Sequence, residues 1–155
     1  MYDYKYQMEY VCSVHVALDS EPQVMGMVAG TIRGNFYGVS GEVTGPRIRG
    51  RVLPRGVDYL TIRSDGVALM DVHLTVETHD GALIQIDYTG VADIGEDGQG
   101  QFLRNEVPPT VPARAVPRMF TGHPAYSWVN RCQFVMIGEA SFKDWEISYD
   151  VYALR

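Results

Sequence analysis

Hydrophobic and polar residues alternate with a period of two along most of this 155-residue chain, and helical periodicity is almost absent. A two-residue period places successive side chains on opposite faces of a strand. The chain is therefore expected to be all-β. Gly, Pro, Asp and Asn residues interrupt the alternation and bound the predicted strands, which are 5–17, 26–32, 37–44, 48–53, 59–63, 68–78, 83–92, 130–138 and 145–154.

Glycine placement indicates how these strands are arranged. The segments ending in Gly66 and Gly81 both carry an Asp-Gly pair, which favours tight hairpin turns. Glycine also recurs every few residues between Gly26 and Gly56, where it permits the bulges and strong coiling that close a small barrel. No phosphate-loop spacing accompanies these glycines. We predict one domain over residues 1–155, a single closed antiparallel β-barrel of about eight to ten strands.

The stretch 93–127 is the irregular part of the chain. Its alternation is broken by five prolines, and a long proline-rich loop is predicted. Long ordered loops on compact domains often carry function. The segment could therefore act as a lid over one mouth of the barrel, or it could be a solvated excursion. The prolines are Pro108, Pro109, Pro112, Pro117 and Pro124.

Composition and charge exclude several classes of partner. The formal net charge of −6 opposes attraction to nucleic acid or to anionic lipid surfaces. The N-terminus lacks the basic start and apolar run of a signal peptide, and no stretch of eighteen apolar residues occurs. A cytoplasmic protein is expected. Cys12 and Cys132 fit no zinc or CxxC spacing, and buried free thiols are favoured over a disulfide.

Polar side chains share one face of the predicted strand 68–78 and its following turn. Directed inward, they would supply acid and base groups. Directed outward, they would be the wet face of an antiparallel strand, which is the commoner arrangement. A metal would need further ligands from neighbouring strands, and the spacing of known metal motifs is missing. No metal and no cofactor are predicted. The residues of this face are Asp71, His73, Thr75, Glu77 and His79.

Two further places carry candidate chemistry. Asp58 lies at a loop-to-strand junction, where a carboxylate can act as a general base or can cap the turn backbone. Tyr126, Trp128 and Asn130 alternate on one side of their segment. Aromatic rings with an amide can form a ligand wall, whereas the structural alternative is that the aromatic rings belong to the core.

Four blocks of residues resemble the family called domain of unknown function 3237. The first is the run 45–59, which contains Arg47 and Asp58, and the second and third contain the turns at Gly66 and Gly81 with their following strands. The fourth is the Tyr-x-Trp-x-Asn block beginning at Tyr126. These blocks cover the chain from about Gly38 to its C-terminus in the family's order and spacing.

The resemblance implies a small closed antiparallel barrel and no generally established reaction. Tyr59 stands where the family commonly has Trp, His73 where Arg is common, and His79 where an acidic residue is usual. Imidazole titrates near neutrality and guanidinium does not. If His73 lies in the pocket, this replacement shifts the expected ligand chemistry toward proton transfer.

Two functional hypotheses follow for a barrel with an interior pocket. The first is a cofactor-free enzyme of lyase, hydratase, isomerase or cyclase type that acts on a small, partly apolar oxygenated molecule by acid–base catalysis. The second is a barrel that binds such a ligand without transforming it, and a filled structural barrel is a third alternative. A homo-oligomer is also plausible, since small barrels commonly bury apolar outer faces against a copy.

In the enzyme hypothesis, Asp58 and His73 transfer protons. Arg47 or Arg118 is available for a carboxylate or enolate oxygen. The predicted substrate contacts are Tyr59, Tyr88, Tyr126, Trp128 and Asn130.

Overall fold

The computed structural model describes residues 2–155 and confirms an all-β chain built of antiparallel strands. Two short helices accompany the strands: α1 is Gly98–Leu103, and a 3₁₀ helix spans Pro124–Arg131. No helix within residues 2–155 has the length and hydropathy required to cross a bilayer. The strands are β1 Met8–Leu18, β2 Gln23–Val28, β3 Thr31–Thr44, β4 Gly50–Val52, β5 Gly56–Ile62, β6 Val67–Thr78, β7 Leu83–Asp93, β8 Thr110–Phe120, β9 Gln133–Ser141 and β10 Glu146–Leu154.

Pairing between β1 and β3 closes the sheet into a barrel. The strands follow the order β1-β10-β9-β8-β7-β6-β4-β3, and β1 pairs with the second half of β3 through Val14↔Val43 and Val16↔Gly41. The first half of β3 pairs with β2. Two short strands lie between β3 and β6: β4 pairs with the second half of β3 and the end of β6, and β5 pairs with the first half of β3 and the beginning of β6. The predicted closed barrel is confirmed, with eight positions around its circumference and two extra strands.

The period of two decides which side chains fill the barrel. On β8 the burial alternates strictly from Val111 to Met119, and on β6 every second residue from Ala68 to Thr78 is buried. The enclosed side chains form one continuous hydrophobic cluster, in which Phe134, Ile32 and Ile84 are almost completely buried. Cys12 and Cys132 are both free thiols, and Cys12 lies in this cluster.

The two ends of the barrel are closed by different elements. At the end where β6 finishes, the 3₁₀ helix covers the core with Tyr126 and Val129. At the opposite end, the side-chain amide of Gln99 in α1 donates to the carbonyl oxygens of Gly30 and Ile62 at 2.8 and 3.0 Å. We call these the 3₁₀ end and the α1 end.

The structure differs most from the sequence prediction in the stretch 93–127. Instead of one long loop, this stretch contains α1 and the eleven-residue strand β8. The predicted break at the prolines is wrong for Pro112 and Pro117, which are both part of β8, and pairing with β9 ends at Ala115, before Pro117. A strand accommodates proline where no ladder bond requires its missing N–H.

Strand boundaries also differ elsewhere, since β3 begins at Thr31 rather than residue 37 and β5 at Gly56 rather than residue 59. The predicted strand 26–32 is the β2–β3 hairpin, because Ala29 and Gly30 adopt left-handed φ angles of 49° and 81° and turn the chain. Residues 130–132 belong to the end of the 3₁₀ helix and its cap, so β9 begins only at Gln133.

The two Asp-Gly turns provide a matched test of close packing at the α1 end. Gly66 and Gly81 have nearly the same φ, 83° and 87°, but a Cβ on Gly66 would lie 1.6 Å from the Gly95 carbonyl oxygen, whereas Gly81 faces open space. We expect Gly81→Ala to cost about 1–2 kcal/mol of unfolding free energy from backbone strain alone. Gly66→Ala should cost clearly more in urea denaturation. Equal losses would contradict this account of the packing.

Candidate functional site

An apolar cavity lies inside the barrel and has a volume of about 70 Å³. Its wall is made by residues of eight strands together with the segments that follow β7 and β9. Asp58 is the carboxylate in this wall, and Tyr88 contributes a phenol ring. Most of the remaining wall is hydrocarbon, including Val16, Phe36, Leu60, Met70, Val72 and Leu74.

Asp58 faces the cavity because of its register on β5. It lies opposite Phe36 on β3 and Val72 on β6, and both of those side chains are buried in the barrel. Its Oδ1 accepts the backbone N–H of Asp71 at 3.0 Å. Among the described residues, β5–β6 pairing is interrupted between Asp58↔Val72 and Thr61↔Leu69. The Asp71 amide lies in this interruption, so it can donate to the carboxylate of Asp58 instead of to the backbone of β5.

This environment makes Asp58 a weaker acid than usual. Burial raises its pKa from 3.8 to about 6, and the negative charge of Asp71 contributes in the same direction. The hydrogen bond from the Asp71 amide opposes the rise, because it stabilises the ionised form. The carboxyl group therefore exchanges its proton near neutral pH, where general acid–base catalysts are most effective.

Tyr88 lies on the same inner face, two strands away from Asp58. Both residues pair with Val72, so their Cα atoms are about 10 Å apart across two strand spacings. The Tyr88 ring packs edge-on against Tyr149 with a centroid separation of 5.7 Å, and the Tyr149 hydroxyl donates to Met70 Sδ at 3.3 Å. Burial raises the pKa of both phenols, which keeps their hydroxyls protonated as hydrogen-bond donors.

The polar face of β6 points away from the cavity. His73 is exposed on the outer wall, where its Nδ1 lies 3.1 Å from Asp87 and its Nε2 lies 3.2 Å from Asp71. Asp71 and His79 are likewise exposed, and Glu77 pairs with Arg51 at 2.6 Å. His73 therefore does not share the cavity with Asp58, because alternation places Val72 and Leu74 inside.

Three other predicted substrate contacts also lie outside the cavity. Arg47 forms an ion pair with Glu9 and stacks over the Trp128 ring at 4.4 Å. Arg118 is exposed on the outer face of β8, with its guanidinium 5.9 Å from the Phe120 ring. Tyr59 is 50% exposed. Of the seven predicted binding residues, Tyr88 is the one that lines the cavity among the described residues.

The predicted wall Tyr126, Trp128 and Asn130 belongs to the 3₁₀ end. The Tyr126 hydroxyl donates to Asp80 Oδ1 at 2.8 Å, and the Thr78 hydroxyl donates to the same oxygen at 2.6 Å. These two bonds lower the pKa of Asp80. The amide of Asn130 pairs with both backbone groups of Thr121 at 2.8–2.9 Å. Their observed contacts fasten the 3₁₀ helix to the barrel.

The described residues contain no cluster of potential metal ligands. Within residues 2–155, no three or more His, Cys, Asp or Glu side chains are grouped so that they could hold a metal ion. Asp58 has a backbone amide and hydrocarbon around it rather than further ligands.

Sequence comparison shows which family shares this barrel. The family described as protein of unknown function (DUF3237) matches residues 6–154. A UPF0311 protein of Rhodopseudomonas palustris is 31% identical over 116 residues, which cover 74% of each chain. The chain belongs to the DUF3237 family. This confirms the resemblance drawn from the four sequence blocks.

Solved structures similar to this DUF3237 chain have the same fold. A protein of unknown function from Clostridium acetobutylicum superposes with a TM-score of 0.86 and 23% identity, covering 97% of this chain and 100% of that one. A β-barrel-like protein from Acinetobacter baumannii gives 0.83 and 24%, covering 99% of each. An enzyme from Penicillium herquei gives 0.72 and 18%, covering 100% and 98%. At these identities the likeness shows the fold alone.

Met70 in the cavity wall and Tyr149, whose ring packs against Tyr88, are absent from the residues that the sequence predicted for the site. The alternation of β10 supplied a signal, because Ile147, Tyr149, Val151 and Ala153 are all buried on one face. Nothing local in the sequence indicates that this strand lies across the barrel from β7. The Tyr88–Tyr149 contact therefore depends on the closed topology.

The raised pKa of Asp58 predicts a pH-dependent stability difference. Unfolded Asp58 titrates near 3.8 and folded Asp58 near 6, so the folded state loses stability as pH rises through this window. Asp58→Asn removes that loss. We expect the variant to be about as stable as the native protein at pH 4 and up to about 3 kcal/mol more stable at pH 7.5, measured by urea unfolding.

Asp150→Asn is the matched control, because Asp150 is exposed on the outer face of β10 and its side chain accepts from Ser13. Its stability difference from the native protein should not follow the same rise between pH 4 and 7.5. An Asp58→Asn difference that is constant over this range would contradict the burial of the charge.

Tyr126→Phe tests the structural role of the 3₁₀ end. The change removes the hydroxyl that donates to Asp80 and leaves the ring in place. We expect a lower thermal midpoint with unchanged binding of ligands to the cavity, since the cavity wall does not include Tyr126. Weaker ligand binding at an unchanged midpoint would instead assign Tyr126 to a ligand site.

Proposed function

We propose that this protein is a cofactor-free acid–base enzyme in which Asp58 transfers a proton on a small, mainly apolar carbonyl compound held in the barrel. The observation that carries the proposal is the position of Asp58 in an otherwise hydrocarbon cavity wall. A carboxyl group with a pKa of about 6 is substantially ionised at neutral pH and still retains its proton well enough to return it.

The proposed step begins with ionised Asp58 as the base. Its carboxylate removes a proton from the carbon next to the substrate carbonyl, and the C–H electron pair forms a carbon–carbon double bond. The carbonyl π electrons move to oxygen, giving an enolate. The Tyr88 hydroxyl, protonated because of its burial, donates a hydrogen bond to that oxygen. Asp58 then returns a proton to carbon while the carbonyl bond forms again, so the net charge is unchanged. Return to the same carbon gives hydrogen exchange, and return to the γ-carbon of a conjugated enolate shifts the double bond and gives an isomer.

The charges around the cavity favour a neutral substrate. The two arginines considered for a carboxylate, Arg47 and Arg118, lie outside the cavity wall. An anion placed beside ionised Asp58 in an apolar cavity would be repelled and would also lose its hydration. A ketone or aldehyde carries no such penalty and presents an acidic C–H bond together with an oxygen acceptor.

The fold is compatible with catalysis. The Penicillium herquei protein with this fold is described as an enzyme, which is a statement about that protein. For the present chain, the proposal rests on Asp58, Tyr88 and the apolar wall. The same cavity without proton transfer would be a ligand-binding barrel, and the experiment below separates the two.

Hydrogen exchange into cyclohexanone tests the proposal directly. The protein is incubated with cyclohexanone in D₂O, and deuterium at the carbons next to the carbonyl is followed by mass spectrometry. We expect exchange above the buffer rate, with a rate that rises with pH and levels off above an apparent pKa of about 6. Asp58→Asn should reduce the protein-dependent rate by about 10²-fold or more. Tyr88→Phe should reduce it by about tenfold or more through loss of the enolate hydrogen bond.

Asp150→Asn, the outer carboxylate, serves as the control and should retain the full rate. Saturable binding of cyclohexanone without protein-dependent exchange would overturn the enzymatic proposal in favour of a binding barrel. Exchange that persists in Asp58→Asn would remove Asp58 from the role of base.

A further inference from the structure

A second depression, with both polar and apolar surface, lies beside the cavity at the α1 end. This groove has a volume of about 410 Å³, and its polar lining residues are Asn105 and Lys143. The remaining lining residues are apolar or aromatic: Pro22, Phe102, Val107, Pro109, Phe142 and Trp145. We call this depression the α1 groove.

Phe142 lies between the α1 groove and the cavity, because it lines both. The residue follows β9, and its backbone N–H donates to the Pro109 carbonyl at 3.1 Å. On the other side, the N–H of Leu18, a cavity residue, donates to the carbonyl of the groove residue Trp145 at 2.7 Å. Backbone hydrogen bonds therefore join residues of the cavity wall to residues of the groove wall.

The groove walls are attached to the core rather than free in solvent. Phe102, Val107, Phe142 and Trp145 are partly buried and pack against the hydrophobic core cluster. Side chains packed against a core have less freedom to lose when a ligand binds, which reduces the entropy cost of binding.

The two volumes differ in what they can hold. The cavity, at about 70 Å³, accommodates a small head group, whereas sites for complete small-molecule ligands usually enclose about 300–1,000 Å³. The groove adds about 410 Å³ directly beside it. A ligand that fills both spaces has a compact end near Asp58 and an extended end outside the barrel wall.

We propose that the α1 groove is the binding site for the hydrocarbon tail of the molecule whose head group occupies the cavity, so that the substrate class is an elongated neutral ketone or aldehyde. This inference rests on the proposed function for the placement of the carbonyl beside Asp58. The tail passes Phe142 and lies against Phe102, Val107 and Trp145.

Two ketones that differ in tail length provide the test. Binding of 4-methylcyclohexanone and 4-heptylcyclohexanone is measured by isothermal titration calorimetry. Each buried CH₂ group strengthens binding about fourfold, less the cost of ordering the chain. We expect the heptyl compound to bind at least about thirtyfold more tightly, with one site per chain.

Val107→Phe fills part of the groove without changing the cavity wall. It should weaken heptyl binding by about tenfold and leave methyl binding within about twofold, which also shows that the variant is folded. Val116→Phe is the matched control: Val116 is 51% exposed on the outer face of β8, and neither affinity should change.

Equal affinities of the two ketones for the native protein, or a heptyl preference that Val107→Phe leaves intact, would overturn the groove assignment. Asp58→Asn separates this result from the proposed chemistry, since it should keep the heptyl preference while losing deuterium exchange. A heptyl preference without exchange in the native protein would support the groove and overturn the catalytic proposal.

Discussion

The pairing of β1 with β3 is the interaction on which the arrangement of this molecule depends. It joins the strands into a ring, and in a closed ring the pleat leaves each side chain either inside or outside. A shift of one residue in any register would exchange the two sets and place polar side chains in the core. Val72 and Leu74 are inside and His73 is outside for this reason, although all three are consecutive on β6.

Asp58 is an exception to this division, because it is a charged residue whose side chain faces the inside of the barrel. Its register opposite Phe36 and Val72 directs a carboxylate into hydrocarbon, and burial then disfavours its ionised form. The Asp71 amide reduces the free-energy cost of burying this charge. Its N–H lies where β5–β6 pairing is interrupted and donates a hydrogen bond to the carboxylate. A carboxylate retained inside an apolar barrel, at a cost in stability at neutral pH, is typical of a functional group.

Sequence reasoning predicted the all-β class, the closed barrel and the Asp-Gly turns, because alternation and turn residues are local signals. The prediction of a loop in place of β8 is wrong, because Pro112 and Pro117 do not break the strand and the alternation around them is regular. Among the residues predicted for the site, Asp58 and Tyr88 line the cavity, and their roles stay predictions. His73 and the wall from Tyr126 to Asn130 could not be placed, because their direction depends on register and on which end of the barrel each segment covers.

The difference between the two ends explains why the cavity and the groove lie together. At the 3₁₀ end, Tyr126 and Thr78 both donate to Asp80, and Asn130 is bound to Thr121, so polar side chains are used in mutual contacts over a covered core. At the α1 end, Gln99 fastens the helix to Gly30 and Ile62, while Phe102, Phe142 and Trp145 leave the groove between them. The cavity and the groove therefore share Phe142 at the α1 end. In the proposed function, the carbonyl group of the substrate lies beside Asp58 in the cavity, and the hydrocarbon tail lies in the groove at this end.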